Sequence, residues 1–157
     1  MLDLSRFSVL SFDCYGTMID WEAGIFSALR PILGAHNKRV NDVTLLKIYS
    51  ELELEAEQKE YVSYHEVLQA VVRGFGERLG FDPSEEEVCS LPKSLAAWQP
   101  FPDTVGALRE LKTRYQLAVI SNIEPAPWTP PLSVVPHILP LLSITRPPNM
   151  IVLAGKA

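Results

Sequence analysis

Carboxylate side chains stop at Glu124; the 33 residues from Pro125 to Ala157 contain no Asp and no Glu. Cysteine is scarce as well: Cys14 and Cys89 are too few for a disulfide framework and lack the paired spacing of a zinc site. No apolar run approaches the ~20 residues that a membrane span needs, so no membrane association is expected. The N-terminal MLDLSRFSVLSFDCYG has Asp3 early, a short apolar run and no small-residue cleavage site, which does not read as a secretory signal. Dense Lys/Arg clusters are missing and the net charge is -5, which argues against a nucleic-acid partner. His36, His65 and His137 are scattered without metal-ligand spacing and read as surface or interface residues, so no metal is expected. Together these absences leave a reducing, cytoplasmic setting as the expectation.

What remains is the composition of a soluble globular chain, 47% apolar and 21% charged over 157 residues. That length holds one domain with a real core, or a small core carrying an inserted lobe. Residues 8–12 (SVLSF) form a short apolar run ending at Asp13 and Gly16, the pattern of a strand buried on both faces in a parallel sheet. Residues 116–122 (QLAVISN) repeat it.

Between the two runs the periodicity is helical. Leu45, Ile48, Tyr49, Leu52 and Ala56 share one helix face, and this longer pattern outweighs the strand-like ELELE at 51–55. Ser63 and Glu66 have capping-box spacing, followed by the stripe Val67, Leu68, Val71, Val72 and Phe75. Asp82, Pro83 and Glu85 predict another helix start, with Pro at the first helical position. The run Glu85–Glu87 suits a first helical turn. Asp103 is the expected N-cap of a helix that buries Val105, Leu108 and Leu111 and leads into the second strand.

The order strand, several helices, helix, strand predicts an α/β core with a helical lobe. We expect the core at 1–20 and 100–122, a helical cap at 21–99 and an atypical tail at 123–157. Eight of the 13 prolines fall between Pro125 and Pro148, which breaks helices and central strands alike. The tail therefore reads as irregular, with room for one short edge strand.

The chemistry concentrates in SFDCYGTMID, residues 11–20. An Asp at the carboxyl end of a central parallel strand sits where open α/β sheets place their ligands. Gly16 frees the backbone to approach a substrate, and Thr17 can hold the Asp13 carboxylate in one rotamer. A fixed carboxylate can displace a leaving group and form an ester that water later cleaves. From the residues alone, Asp13 could instead cap the next turn. Cys14 could serve as a thiol nucleophile or as a small buried hydrophobe.

The strings FDCYGTMIDWEAGIFSAL (12–29) and PFPDTVGALRELKTRYQLAVISN (100–122) together resemble the haloacid dehalogenase (HAD) superfamily, most closely its 2-haloacid dehalogenase-like branch. The resemblance covers about residues 7–122 and implies an incomplete HAD-type, Rossmann-like parallel sheet with an inserted α-helical cap. It makes Asp13 the nucleophile and Thr17 the motif threonine. Ser121 and Asn122 become the polar pair ending the second motif strand, donors that contact substrate or developing charge. Tyr15 stands where the superfamily's phosphatases carry a second Asp to protonate the departing alcohol. A halide leaves without a proton, so Tyr15 favours carbon–halogen cleavage of a small 2-haloacid over phosphate ester cleavage.

The chain departs from that family at three points. The acidic fourth motif has no source after Glu124, and Lys156 is the tail's only lysine, outside the expected flanking sequence. The arginine that this branch presents from the early cap has no counterpart at 42–60, where Lys47 and Lys59 stand; Arg30 and Arg39 nearby read as solvated. These gaps support a second reading, a non-catalytic, truncated family member, with a magnesium-dependent phosphatase as a third. On this view 1–122 belongs to a longer enzyme, and the tail comes from a truncated, alternatively spliced or misread frame. The resemblance implies no cofactor for dehalogenation and leaves room for a homodimer. Trp21 and Trp98 bracket the lobe and are expected to pack at its hinge.

Overall fold

The computed structural model describes residues 7–58 and 63–119, and the backbone of 142–143. Strand β1 (Val9–Phe12) pairs in parallel with β2 (Gln116–Val119), Val9 opposite Gln116 and Phe12 opposite Val119. Strand β3 (Leu142–Ser143) adds in parallel on the far side of β2, giving the order β1-β2-β3. That short strand is the edge element for which the proline-broken tail left room. A mostly helical chain around a short parallel sheet is an α/β fold.

The helices run α1 (Trp21–Ala35), α2 (Asp42–Glu57), α3 (Tyr64–Leu79), α4 (Glu85–Val88), α5 (Ser90–Ser94) and α6 (Thr104–Lys112). All six lie between β1 and β2 in sequence and contribute to one core. Leu45, Tyr49, Leu68, Val71, Val72 and Phe75 from α2 and α3 are buried, together with Ile25 and Leu29 of α1. The 3.6-residue spacing on α2 and α3 is therefore real helical amphipathicity, and ELELE lies inside α2. Ser63 and Glu66 form the capping box at the start of α3, the Ser63 N–H donating to Glu66 Oε2 at 2.8 Å. At the other end, Gly80 closes α3 with φ +70°.

Several expectations need correction. β1 is not buried on both faces: Val9 is 49% exposed, Ser11 is exposed, and Leu10 and Phe12 are half-buried. The reason is topological, since among the described residues β1 is an edge that pairs with β2 alone. Pro83 is not the first helical residue; Ser84 is the N-cap of α4, its hydroxyl and Glu87 completing a second capping box. Asp103 holds the N-cap position of α6 without a side-chain capping bond. On that helix Leu108 is buried but Val105 and Leu111 are only half-buried, and the polar Thr104 is buried instead. His36 is half-buried, as an interface residue would be: its Nε2 lies 3.0 Å from Glu87 Oε1 and its ring stacks on Phe81 at 4.5 Å. His65 is exposed. His137, Lys59 and Lys156 lie outside the described residues.

Candidate active site

Strand β1 ends at Phe12, and the chain turns at once. Met18 and Ile19 N–H both donate to Cys14 O, at 2.8 and 3.0 Å, and Gly16 N–H donates to Ile19 O at 3.0 Å. Gly16 takes φ +81°, a conformation that a side chain would strain. This closed turn holds Asp13 at the strand end and brings Thr17 back over it. Thr17 Oγ1 donates to Asp13 Oδ2 at 3.2 Å, the contact expected from the motif. Asp13 is exposed, and among the described residues no cation pairs with it.

The neighbouring groups are kept neutral. Burial, and after it the Asp13 charge, pushes the Cys14 thiol up to about 11. A thiol so far above neutrality is not a ready nucleophile, which decides the Cys14 alternative for the small buried hydrophobe. Burial also raises the Tyr15 phenol above its ordinary range. Tyr15 is thus a neutral ring beside the carboxylate, and its edge meets Trp98 at 5.7 Å and 81°.

Both ends of the helical insertion seat on this turn, as expected for Trp21 and Trp98. The chain enters and leaves side by side, Ile19 bridged to Pro100, with Asp20 N–H donating to Gln99 O at 2.9 Å and Phe101 N–H to Met18 O at 3.1 Å. Trp98 is 3% exposed and packs so closely on Gly24 that a Cβ there would lie 2.3 Å from its ring. Trp21, the first residue of α1, lies against Gly16 on one side and Tyr49 of α2 on the other, ring centroids 6.1 Å apart. Tyr49 and Tyr64 hydroxyls both donate to Glu53 Oε1, at 3.0 and 2.7 Å, locking α2 to α3 behind Trp21.

Sequence reasoning missed three of these features. Thr104 Oγ1 donates to Met18 O at 3.1 Å inside the core and ties α6 to the Asp13 turn; a buried threonine in a helix start leaves no periodic signal. The Gly24–Trp98 contact and the Tyr49–Glu53–Tyr64 cluster are likewise non-local. Asp13, Tyr15 and Thr17 come together on one turn, whereas Ser121 and Asn122 lie outside the described residues. Arg30 is exposed and pairs with Asp42 at the start of α2, and Arg39 is exposed, as their solvated reading required. Lys47 is also exposed.

No protein-family model matches the chain, and no curated protein matches it. Solved structures do. A defluorinating L-2-haloacid dehalogenase superposes with a TM-score of 0.70 at 20% identity, covering 88% of this chain and 60% of that one. The L-2-haloacid dehalogenase of Xanthobacter autotrophicus gives 0.66 at 20% identity, over 88% and 56%. A Bacillus subtilis protein described as a HAD-hydrolase, bound to magnesium, gives 0.67 at 15% identity, over 88% and 63%. The chain thus spans about three-fifths of the length of the structures it matches. With its parallel sheet, its closed turn at the end of β1 and its helices inserted between the two strands, it has the haloacid dehalogenase-type fold.

Proposed function

We propose that this chain is a hydrolase of the haloacid dehalogenase type, with Asp13 as nucleophile and a small 2-haloacid as substrate. The observation that carries the reading is the Thr17–Asp13 hydrogen bond of 3.2 Å on a turn closed at the end of a parallel strand. Thr17 occupies Oδ2 and leaves Oδ1 as the attacking atom. Attack at C2 of the haloacid forms the Asp13 ester as the carbon–halogen bond breaks and halide leaves with the electron pair. Water then cleaves the ester at the Asp13 carbonyl, giving the 2-hydroxy acid, a proton and the free carboxylate, with one solvent oxygen retained in Asp13.

Tyr15 supports this chemistry over phosphate ester cleavage. Burial keeps its phenol a far weaker general acid than a carboxylic acid at that position would be, and a halide needs no proton. Thr17 and Tyr15 line the nucleophile side, and we assign Ser121 and Asn122 a role in substrate contact. In this reading the core comprises 1–20 and 100–122 and the cap 21–99, and the protein works in the cytoplasm, where the thiols Cys14 and Cys89 stay free.

One observation favours a second reading, a non-catalytic member of the same type. Among the described residues Asp13 has no cationic neighbour to steady its charge or that of the tetrahedral intermediate. The two are separated by incubating the full chain with 2-chloropropionate in isotopically labelled water. Chloride release, lost in Asp13→Asn, with one label found in Asp13 after a single turnover, supports catalysis. A folded sample that releases no chloride sinks it and leaves the second reading.

A further inference from the structure

The two tryptophans that seat the helical insertion on the nucleophile turn differ in one respect. Trp98 is buried and its indole N–H is spent, Nε1 donating to Ser94 Oγ at 3.0 Å. Trp21 is half-buried, and among the described residues its N–H has no hydrogen-bond partner. Indole N–H groups packed against protein generally find an acceptor, so an open one against the turn that carries Asp13 is a donor in waiting.

Its place is well defined. Nε1 lies 3.0 Å, and Cδ1 3.1 Å, from the point where a Cβ on Gly16 would stand, so the N–H edge of the ring faces the turn and only glycine admits it there. Tyr49 fixes the ring from behind, and Tyr49 is itself buried and bonded to Glu53. Of the turn's backbone donors, the N–H groups of Gly16, Met18 and Ile19 are closed onto carbonyls within it. Nor does α2 bring a guanidinium, and Lys47 is 75% exposed.

We propose that the Trp21 indole N–H is the cap-side hydrogen-bond donor for an anionic group of the ligand that approaches Asp13. A neutral, fixed donor suits this position. It stabilises a carboxylate or a departing halide without forming an ion pair that would quench the nucleophile's charge. The proposal rests on the reading of Asp13 as nucleophile, and it names the chemistry that a haloacid carboxylate and a released halide share.

The test is the indole proton–nitrogen-15 cross-peak of Trp21 in the full-length chain, titrated separately with bromide and with propionate. The expected result is a saturable shift of the Trp21 peak, with the Trp98 peak unmoved because its proton is held by Ser94. Saturation by bromide assigns the donor to the leaving halide; saturation by propionate assigns it to the carboxylate. Trp21→Phe keeps the ring but removes the proton, and binding followed at the Gly16 and Thr17 amides should weaken about tenfold or more. A Trp21 peak that stays put in both arms overturns the proposal, as does unchanged affinity in Trp21→Phe. If Trp21 responds but no chloride is released from 2-chloropropionate, the donor stands and the catalytic reading is what fails.

Discussion

The helical insertion and the strand that carries Asp13 are built on opposite terms. The helices bury their apolar faces against one another, with Leu45, Leu68, Val71 and Val72 fully inaccessible. Their ends are closed by two capping boxes, and Arg78 of α3 pairs with Glu51 and Glu55 of α2. Most of these contacts join neighbours in sequence, so the helical part carries its stability within itself. β1 has the reverse character. It is four residues long, borders a single strand among the described residues, and leaves Phe7 and Val9 about half exposed. Asp13, the proposed nucleophile, therefore stands at the end of a weakly supported element. Two clasps hold it: the Thr104 hydroxyl on Met18 O, and the tryptophans seated on Tyr15 and Gly16.

The comparison is tested most strongly in the helical core. Phe75 is 1% exposed between α2 and α3, and Phe75→Ala should cost about 3–5 kcal/mol, read as a lower urea midpoint. A cost below about 1 kcal/mol would show that the helices are not the stable half. Gly24→Ala probes the seam between the halves. The added methyl meets Trp98 at 2.3–2.5 Å, and Trp98 is buried and tied to Ser94, so it cannot swing away freely. Overpacking of about 1–3 kcal/mol is offset by about 1 kcal/mol of helix propensity, which leaves a net loss of up to about 2 kcal/mol. Because Trp98 also touches Tyr15, its fluorescence should shift as well, and an unshifted spectrum would disconnect the seam from the turn.

Ser63→Ala is the smaller test of the same helices. Loss of the cap should cost about 1 kcal/mol near neutral pH. Ser63 holds the Glu66 carboxyl below its usual range, by its hydroxyl first and its backbone N–H second. A carboxylate with a lowered folded-state pKa stabilises above the ordinary glutamate range, and the effect disappears as pH falls through the lowered value. The gap between Ser63→Ala and the unaltered chain should therefore narrow on acidification. A gap that widens would remove Glu66 from the account.

The same division governs what could be read from sequence. The helices were legible because each rests on a local rule: the stripe Val67, Leu68, Val71, Val72, Phe75, the pair Ser63 and Glu66, the spacing of Leu45, Tyr49 and Leu52. At 82–85 the string Asp82, Pro83, Glu85 points to proline as the first helical residue, whereas the pairing of Ser84 with Glu87 is what starts α4. The Asp13 turn was legible as a motif, including the Thr17 hydrogen bond. Its surroundings were not, because Thr104 on Met18, Trp98 on Gly24 and Glu53 between two tyrosines join residues from 4 to 86 positions apart. β1 misled for the same reason. SVLSF has the composition of a strand buried on both faces, but burial depends on neighbours that the string itself does not specify.

That last point has its own test, and the smallest expected effect on stability. The segment from Phe7 to Phe12 has no charge, no proline and no bulge, the devices that normally protect a strand edge. Val9 is 49% exposed, so Val9→Lys removes little buried area and should change stability by no more than about 0.5 kcal/mol. The lysine should nonetheless lower concentration-dependent self-association, measured by light scattering at matched stability, because a charge on an open edge opposes pairing with another strand. A loss approaching that of Phe75→Ala would instead mean that Val9 is covered in solution. β1 would then be a central strand, and Asp13 would be as firmly supported as the helices.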